Sequence, residues 1–168
     1  MHLYLMRHGE ADPVGGEVRR DAERALSTRG RDEVRLMGQA LARLEPGLER
    51  ILTSPLVRAA ESGRIVAGSY PSPPPVEETE LLTPGFRRQA LLKHLESFGA
   101  DARLLLVGHQ PDMGELLSWL VAETPQAGIA VGTASLAVLT MRRPALDGEP
   151  VLRLLLTPAL IETLDTHR

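Results

Sequence analysis

The sequence predicts an α/β fold: a three-layer sandwich with a mostly parallel central sheet of about six strands and helices on both faces. Short apolar, strand-like runs alternate with segments of helical periodicity, the order that builds parallel sheets through crossover connections. One run, Leu104-Leu105-Leu106-Val107, is apolar without alternation, as expected of a strand covered on both faces. Three runs give way to residues that carry chemistry, and open α/β sheets bind ligands beyond the carboxyl ends of their strands.

Taken in order, residues 3–6 read as a short buried strand that stops at Arg7-His8-Gly9. Polar, glycine-containing composition from 10 to 26, with Asp12-Pro13-Val14-Gly15-Gly16, marks a surface loop. Ser27 stands at a helix N-cap position, and Val34, Met37, Leu41 and Leu44 repeat at helical spacing on one face until Pro46-Gly47 ends the helix. Residues 51–53 form a second strand, and Pro55 opens a helix to about Gly68 with Leu56, Ala59, Ala60 and Ile65 inward. The stretch Tyr70-Pro71-Ser72-Pro73-Pro74-Pro75 is an extended connector, since proline cannot continue a helix, and 76–79 follows as a short edge strand.

A helix over 87–98 buries Leu91, Leu92, Leu95 and Phe98. The run at 104–107 comes next, then the turn Gly108-His109-Gln110-Pro111 and a helix over 113–121 with Leu116, Leu117 and Leu120 in the core. Residues 136–141 and 151–156 are two further strands joined through Asp147-Gly148; they read as a hairpin whose apolar content predicts deep burial. Neither flank of the proline connector could fold alone, so residues 1–168 are expected to form one domain without a sizeable cap insertion.

Composition narrows the chemistry. A chain of 168 residues with 43% hydrophobic content suits one core, and the absence of cysteine removes disulfides, thiolate metal sites and cysteine nucleophiles together. A net charge of -3 gives no electrostatic reason for a nucleic-acid or anionic-membrane partner. No apolar run reaches the roughly 18 residues of a membrane span, and Arg7-His8 interrupts the place of a signal-peptide core, so a cytoplasmic location is expected. His2, His94 and His167 lack metal-site spacing, and Gly15-Gly16 lacks the lysine of a phosphate-binding loop.

The three strand ends point to one chemistry. The first delivers Arg7 and His8, the second leads through Ser54-Pro55 to Arg58 on the first turn of its helix, and the buried run delivers His109. Two guanidiniums, two imidazoles and a helix N-terminus around one point suit a tetrahedral dianion. A neutral imidazole is a competent nucleophile toward phosphorus, and the arginines offset the charge that builds on the equatorial oxygens. Arg19, Arg20 and Arg24 border the expected mouth of such a pocket.

Arg7-His8-Gly9, Ser54-Pro55 with Arg58-Ala59, and Gly108-His109 after an apolar strand together resemble the signature of the histidine phosphatase superfamily, the phosphoglycerate-mutase-like proteins. The resemblance covers most of the chain. It implies that His8 is the phosphorylated nucleophile, that Arg7, Arg58 and His109 line the phosphate pocket, and that no metal or other cofactor takes part. The short length, the stretch Glu80-Leu81-Leu82-Thr83-Pro84-Gly85 and the closing Thr133-Ala134-Ser135 and Leu156-Thr157-Pro158 look most like the small SixA-type phosphohistidine phosphatases. That likeness implies a phosphohistidine-bearing protein as substrate, the short connection from Gly68 to Gly85 predicts an open pocket, and a monomer is the favoured state. By position within it, Glu80 is the first candidate for a general acid, and Glu10, directly after the motif, is the second. Two alternatives stay open: a small-molecule phosphomonoesterase of the same superfamily, and a module that accepts phosphate on His8 to pass on or to sense.

Overall fold

The computed structural model describes residues 1–14 and 20–165. Six strands, β1 (His2–Arg7), β2 (Arg50–Thr53), β3 (Val76–Glu78), β4 (Arg103–Gly108), β5 (Leu136–Thr140) and β6 (Val151–Leu156), form one sheet in the order β3-β2-β4-β1-β5-β6. The first four run parallel, while β5 is antiparallel to β1 and β6 to β5. The helices are α1 (Thr28–Leu44), α2 (Val57–Ala67), α3 (Arg88–Leu95), α4 (Asp112–Ala122) and α5 (Pro158–Asp165).

Side chains alternate across a strand, and this divides the core in two. Leu3, Leu5, Leu104 and Leu106 face a cluster closed by Leu91 and Leu95 of α3 and Met113, Leu117 and Leu120 of α4. Tyr4, Met6, Leu105 and Val107 face the other way, against Val34, Met37 and Leu41 of α1, Ala59 and Val66 of α2, and Ile161 of α5. Full burial of each such aliphatic side chain stabilises by about 1.5–3 kcal/mol, so β1 and β4, apolar on both faces, are held from both sides. No helix among the described residues is long and apolar enough to cross a membrane.

Register places the site. Arg7 pairs with Gly108 and Thr53 with Val107, so β1, β4 and β2 end at one level. Past that level the chain is held close to α1. Ser27 caps α1 through its Oγ, which accepts from the Gly30 amide at 3.0 Å, and the Ser27 amide donates to the Glu10 carbonyl. A Cβ on Gly9 would stand 2.6 Å from a Val34 methyl carbon, and one on Gly30 would stand 2.0 Å from the Glu10 carbonyl oxygen. Only glycine permits this approach of the loop to the helix.

Several expectations require correction. Leu44, assigned to the buried face of α1, is 54% exposed because the chain has turned past the core edge by then. Residues 55 and 56 precede α2, and its buried side is made by Arg58, Ala59, Ala60, Ser62, Gly63 and Val66, with Ile65 half-buried against the core and Leu56 before the helix. The hairpin of β5 and β6 is present, but β6 is an edge strand with mostly exposed or half-buried residues, so its apolar content did not mean deep burial. α5 was not anticipated, although Thr157 accepts from the Leu160 amide as a cap and Pro158 occupies the first helical position. Gly15, Gly16, Arg19 and His167 lie outside the described residues.

Candidate active site

His8 leaves the end of β1 with its backbone already committed. Its amide donates to the Gly108 carbonyl at 3.1 Å and its carbonyl accepts from the Ala134 amide at 3.2 Å, which ties it to β4 and to the approach to β5. The ring is held as well. Nδ1 lies 2.6 Å from the Gly9 carbonyl, and Nε2 lies 3.1 Å from Arg58 Nε. A carbonyl only accepts and a guanidinium only donates, so the two contacts together require the Nδ1–H tautomer and place the lone pair on Nε2.

Arg58 is 5% exposed, and each of its three guanidinium nitrogens makes one bond, which leaves a second N–H on Nη1 and on Nη2. Nε donates to His8, Nη1 donates to the Asp21 carbonyl at 2.7 Å, and Nη2 donates to Asp21 Oδ2 at 2.9 Å. Arg24 donates to Asp21 Oδ1 and, by its other nitrogens, to the carbonyls of Ala11 and Asp12. Asp21 therefore bridges two arginines, and their hydrogen bonds, that of Arg24 foremost, hold its carboxyl below the usual carboxylate range. Nothing in the periodicity of the sequence marked Asp21, which sits in a short 3-10 turn, Asp21–Glu23, within the polar loop.

His109 arrives from β4 beside His8, with ring centroids 5.0 Å apart and planes inclined at 58°. Both of its ring nitrogens are buried without a hydrogen-bond partner among the described residues, and so is Arg7 Nε, while Arg7 Nη1 donates to the Val131 carbonyl at 3.4 Å. Arg7, His8, Arg58 and His109 converge on one cavity of about 420 Å³, which Glu10, Asp21 and Arg24 also line. Buried donors left uncommitted cost free energy that an oxyanion ligand would recover.

Glu80 is elsewhere. It begins the 3-10 turn Glu80–Leu82, is exposed, and does not line this cavity; from that stretch only Pro84 reaches the wall. Glu10, the second candidate, does line it and pairs with Arg29 at 3.6 Å. Of α2 only Arg58 reaches the cavity, so the expected helix N-terminus contributes a side chain and not its amides. Among the described residues no group of three or more His, Asp or Glu could hold a metal ion. Arg20 is exposed and paired with Glu23.

Burial is the main reason that the His8 pKa falls to about 4 and that of His109 to about 3, with Arg58 and Arg7 adding repulsion; for His109 the neighbouring His8 ring adds more, and for His8 the Gly9 contact opposes the fall. Both rings are therefore neutral at pH 7. In the unfolded chain both take protons near the ordinary 6.5, so from about pH 6.5 down to about 4 the unfolded state binds protons that the folded state excludes. Stability is full above that window and is lost as pH falls through it. We expect the melting temperature to drop by roughly 10 °C across that range, and the drop to shrink by more than half in a His8→Asn, His109→Asn double variant. Calorimetry at stepped pH checks this, and an unchanged slope in the double variant would assign the titration to other groups.

The chain is similar to known proteins along much of its length. The family model of the histidine phosphatase superfamily (branch 1) matches residues 3–83. An uncharacterized protein of Picosynechococcus sp. is 41% identical over 117 residues, 68% of this chain and 70% of that one. Phosphohistidine phosphatase SixA of Escherichia coli is 32% identical over 128 residues, 74% of this chain and 78% of its own. The solved structure of the protein histidine phosphatase SixA complexed with tungstate matches with a TM-score of 0.81 at 28% identity, covering 96% of this chain and 99% of that chain.

Proposed function

We propose that this chain, which belongs to the histidine phosphatase superfamily and is a phosphatase within it, removes the phosphoryl group from phosphohistidine on a partner protein, without a metal ion and through a phosphorylated His8. The observation that carries the reading is the fixed tautomer of His8: Nδ1–H is tied to the Gly9 carbonyl, and Nε2 is unprotonated, accepting only from Arg58 Nε, in a cavity shared with Arg7, Arg58 and His109.

In the proposed reaction His8 Nε2 attacks phosphorus in line, a P–N bond to His8 forms, and the P–N bond to the substrate imidazole breaks. Arg7 and Arg58 hold the equatorial oxygens, and His109, uncommitted at both nitrogens, donates to one of them. Water then attacks the phosphorus of phospho-His8, releases inorganic phosphate and restores the Nε2 lone pair. An imidazole leaving group needs less help from a proton donor than an alkoxide does, so the distance of Glu80 from the cavity does not obstruct the reaction. Glu10, on the wall, is the carboxylate placed to exchange a proton with the departing nitrogen or with the attacking water.

A protein-borne substrate is supported by what surrounds the cavity. Between α2 and α3 the chain makes only the edge strand β3 and the turn at Glu80–Leu82, so this crossover builds no domain over the site. The test is to compare kcat/KM on a phosphohistidine protein with a panel of sugar and nucleotide phosphates, in EDTA throughout. We expect the phosphohistidine protein to be preferred by at least about tenfold. Preference for an ester by orders of magnitude would make the chain a small-molecule phosphomonoesterase, and a phospho-His8 stable for hours would make it a carrier or sensor.

A further inference from the structure

Beside the catalytic cavity lies a second, of about 400 Å³, whose floor is Gly114 and Ser118 of α4 and whose far wall is the segment 125–130. The two cavities share one residue, Gln110, which follows His109. The Gln110 amide lies against Gly114, where an added Cβ would come within 2.7 Å of its Nε2, and its buried Oε1 has no partner among the described residues. The same loop that walls the second cavity continues to Val131, whose carbonyl receives Arg7, and to Thr133, which lines the first. The two cavities therefore adjoin at Gln110.

The second cavity does not suit another anion. No arginine, lysine or histidine lines it, and its single acidic residue is Glu115, while proline, glycine, alanine and isoleucine make up most of its wall. That excludes the second phosphate of a nucleotide or bisphosphate and suits an uncharged stretch of polypeptide. Gln110, with an amide not committed to the protein, stands at the junction where a peptide group would pass.

We infer that this cavity seats the residues flanking the phosphohistidine of a protein substrate, preferring apolar neighbours and disfavouring acidic ones. The inference rests on the reading of the catalytic cavity above. It makes the second cavity the reason that a phosphohistidine in a polypeptide is used better than the same group free in solution.

Three probes test it: phosphoimidazole, a phosphohistidine pentapeptide flanked by leucine, and one flanked by glutamate. The expected order of kcat/KM is leucine peptide above phosphoimidazole by about tenfold or more, with the glutamate peptide below the leucine peptide. Ala130→Trp, at an exposed position of the wall, should bring the ratio of leucine peptide to phosphoimidazole to within about twofold of one. Glu115→Lys, also at an exposed position, should raise the glutamate peptide relative to the leucine peptide by several fold, a reversal of preference that general disturbance of the fold would not produce. Equal use of all three probes by the unaltered protein, or ratios unmoved in both variants, would overturn the subsite while leaving the phosphohistidine activity standing. Hydrolysis of esters with none of the three probes would overturn both.

Discussion

Replacing His8 by alanine should reduce kcat by roughly 10⁴ to 10⁶, the scale seen when the nucleophile of a covalent hydrolase is removed. The His8 ring gives the proposed reaction an unprotonated nitrogen held in a defined tautomer among cations. His109 is next to it, but its ring is not tied into a defined tautomer by any hydrogen bond among the described residues. The fold should survive, because the His8 backbone bonds to Gly108 and Ala134 do not involve the ring. Loss of turnover should be accompanied by loss of the acid-labile phosphoenzyme in quenched reactions, measured by intact mass. Retained activity above one part in about 10³ with a folded protein would show that the nucleophile lies elsewhere.

Arg58→Lys should cost about 10² to 10³ in kcat, comparable to deleting one donor to a developing oxyanion. The charge is retained, yet the geometry is not: a single ammonium cannot bond to His8 Nε2, the Asp21 carbonyl and Asp21 Oδ2 at once. Inhibition by vanadate should weaken in parallel, since the same fork is proposed to hold the trigonal oxygens. If lysine supports the full rate, the guanidinium acts only as a distant charge. Asp21→Asn keeps the carbonyl contact and loses charge on the carboxyl, so its effect should be the smaller of the two.

Much of the fold could be read from the chain. The strand ends at Arg7, Thr53 and Gly108 were recoverable because buried parallel strands are apolar runs with abrupt ends, and the register that aligns them follows from the level at which those runs stop. Ser27 was recoverable because capping is a local property. What escaped was non-local or irregular. Asp21 reaches Arg58 from a loop without periodicity, and a carboxylate in such a loop carries no mark of its partner. Glu80 was proposed from its place along the chain, and that place turned out to be an exposed turn whose neighbour Pro84, not its acid, faces the cavity. β6 looked buried because hydrophobicity reports the residue and not the neighbour, and β6 has a strand on one side only. The helix after it was masked by reading Thr157-Pro158 as the end of a strand rather than as a cap and first turn.

The position of β1 in the sheet has a consequence for biosynthesis. The strand that leads to the proposed nucleophile is made before every other strand described, yet His2 pairs with Arg103 on one side and Thr140 on the other. At roughly 5–20 residues per second, β1 waits several seconds for β4 and longer for β5, and α1, α2 and β2 emerge in the meantime without β4, the strand that joins β2 to β1. Arg7 and His8 cannot meet His109 until translation has passed β4. A nascent chain stalled before β4 should therefore be protease-sensitive and unable to take phosphate on His8, and reactivity should appear only once β4 and His109 have left the ribosome.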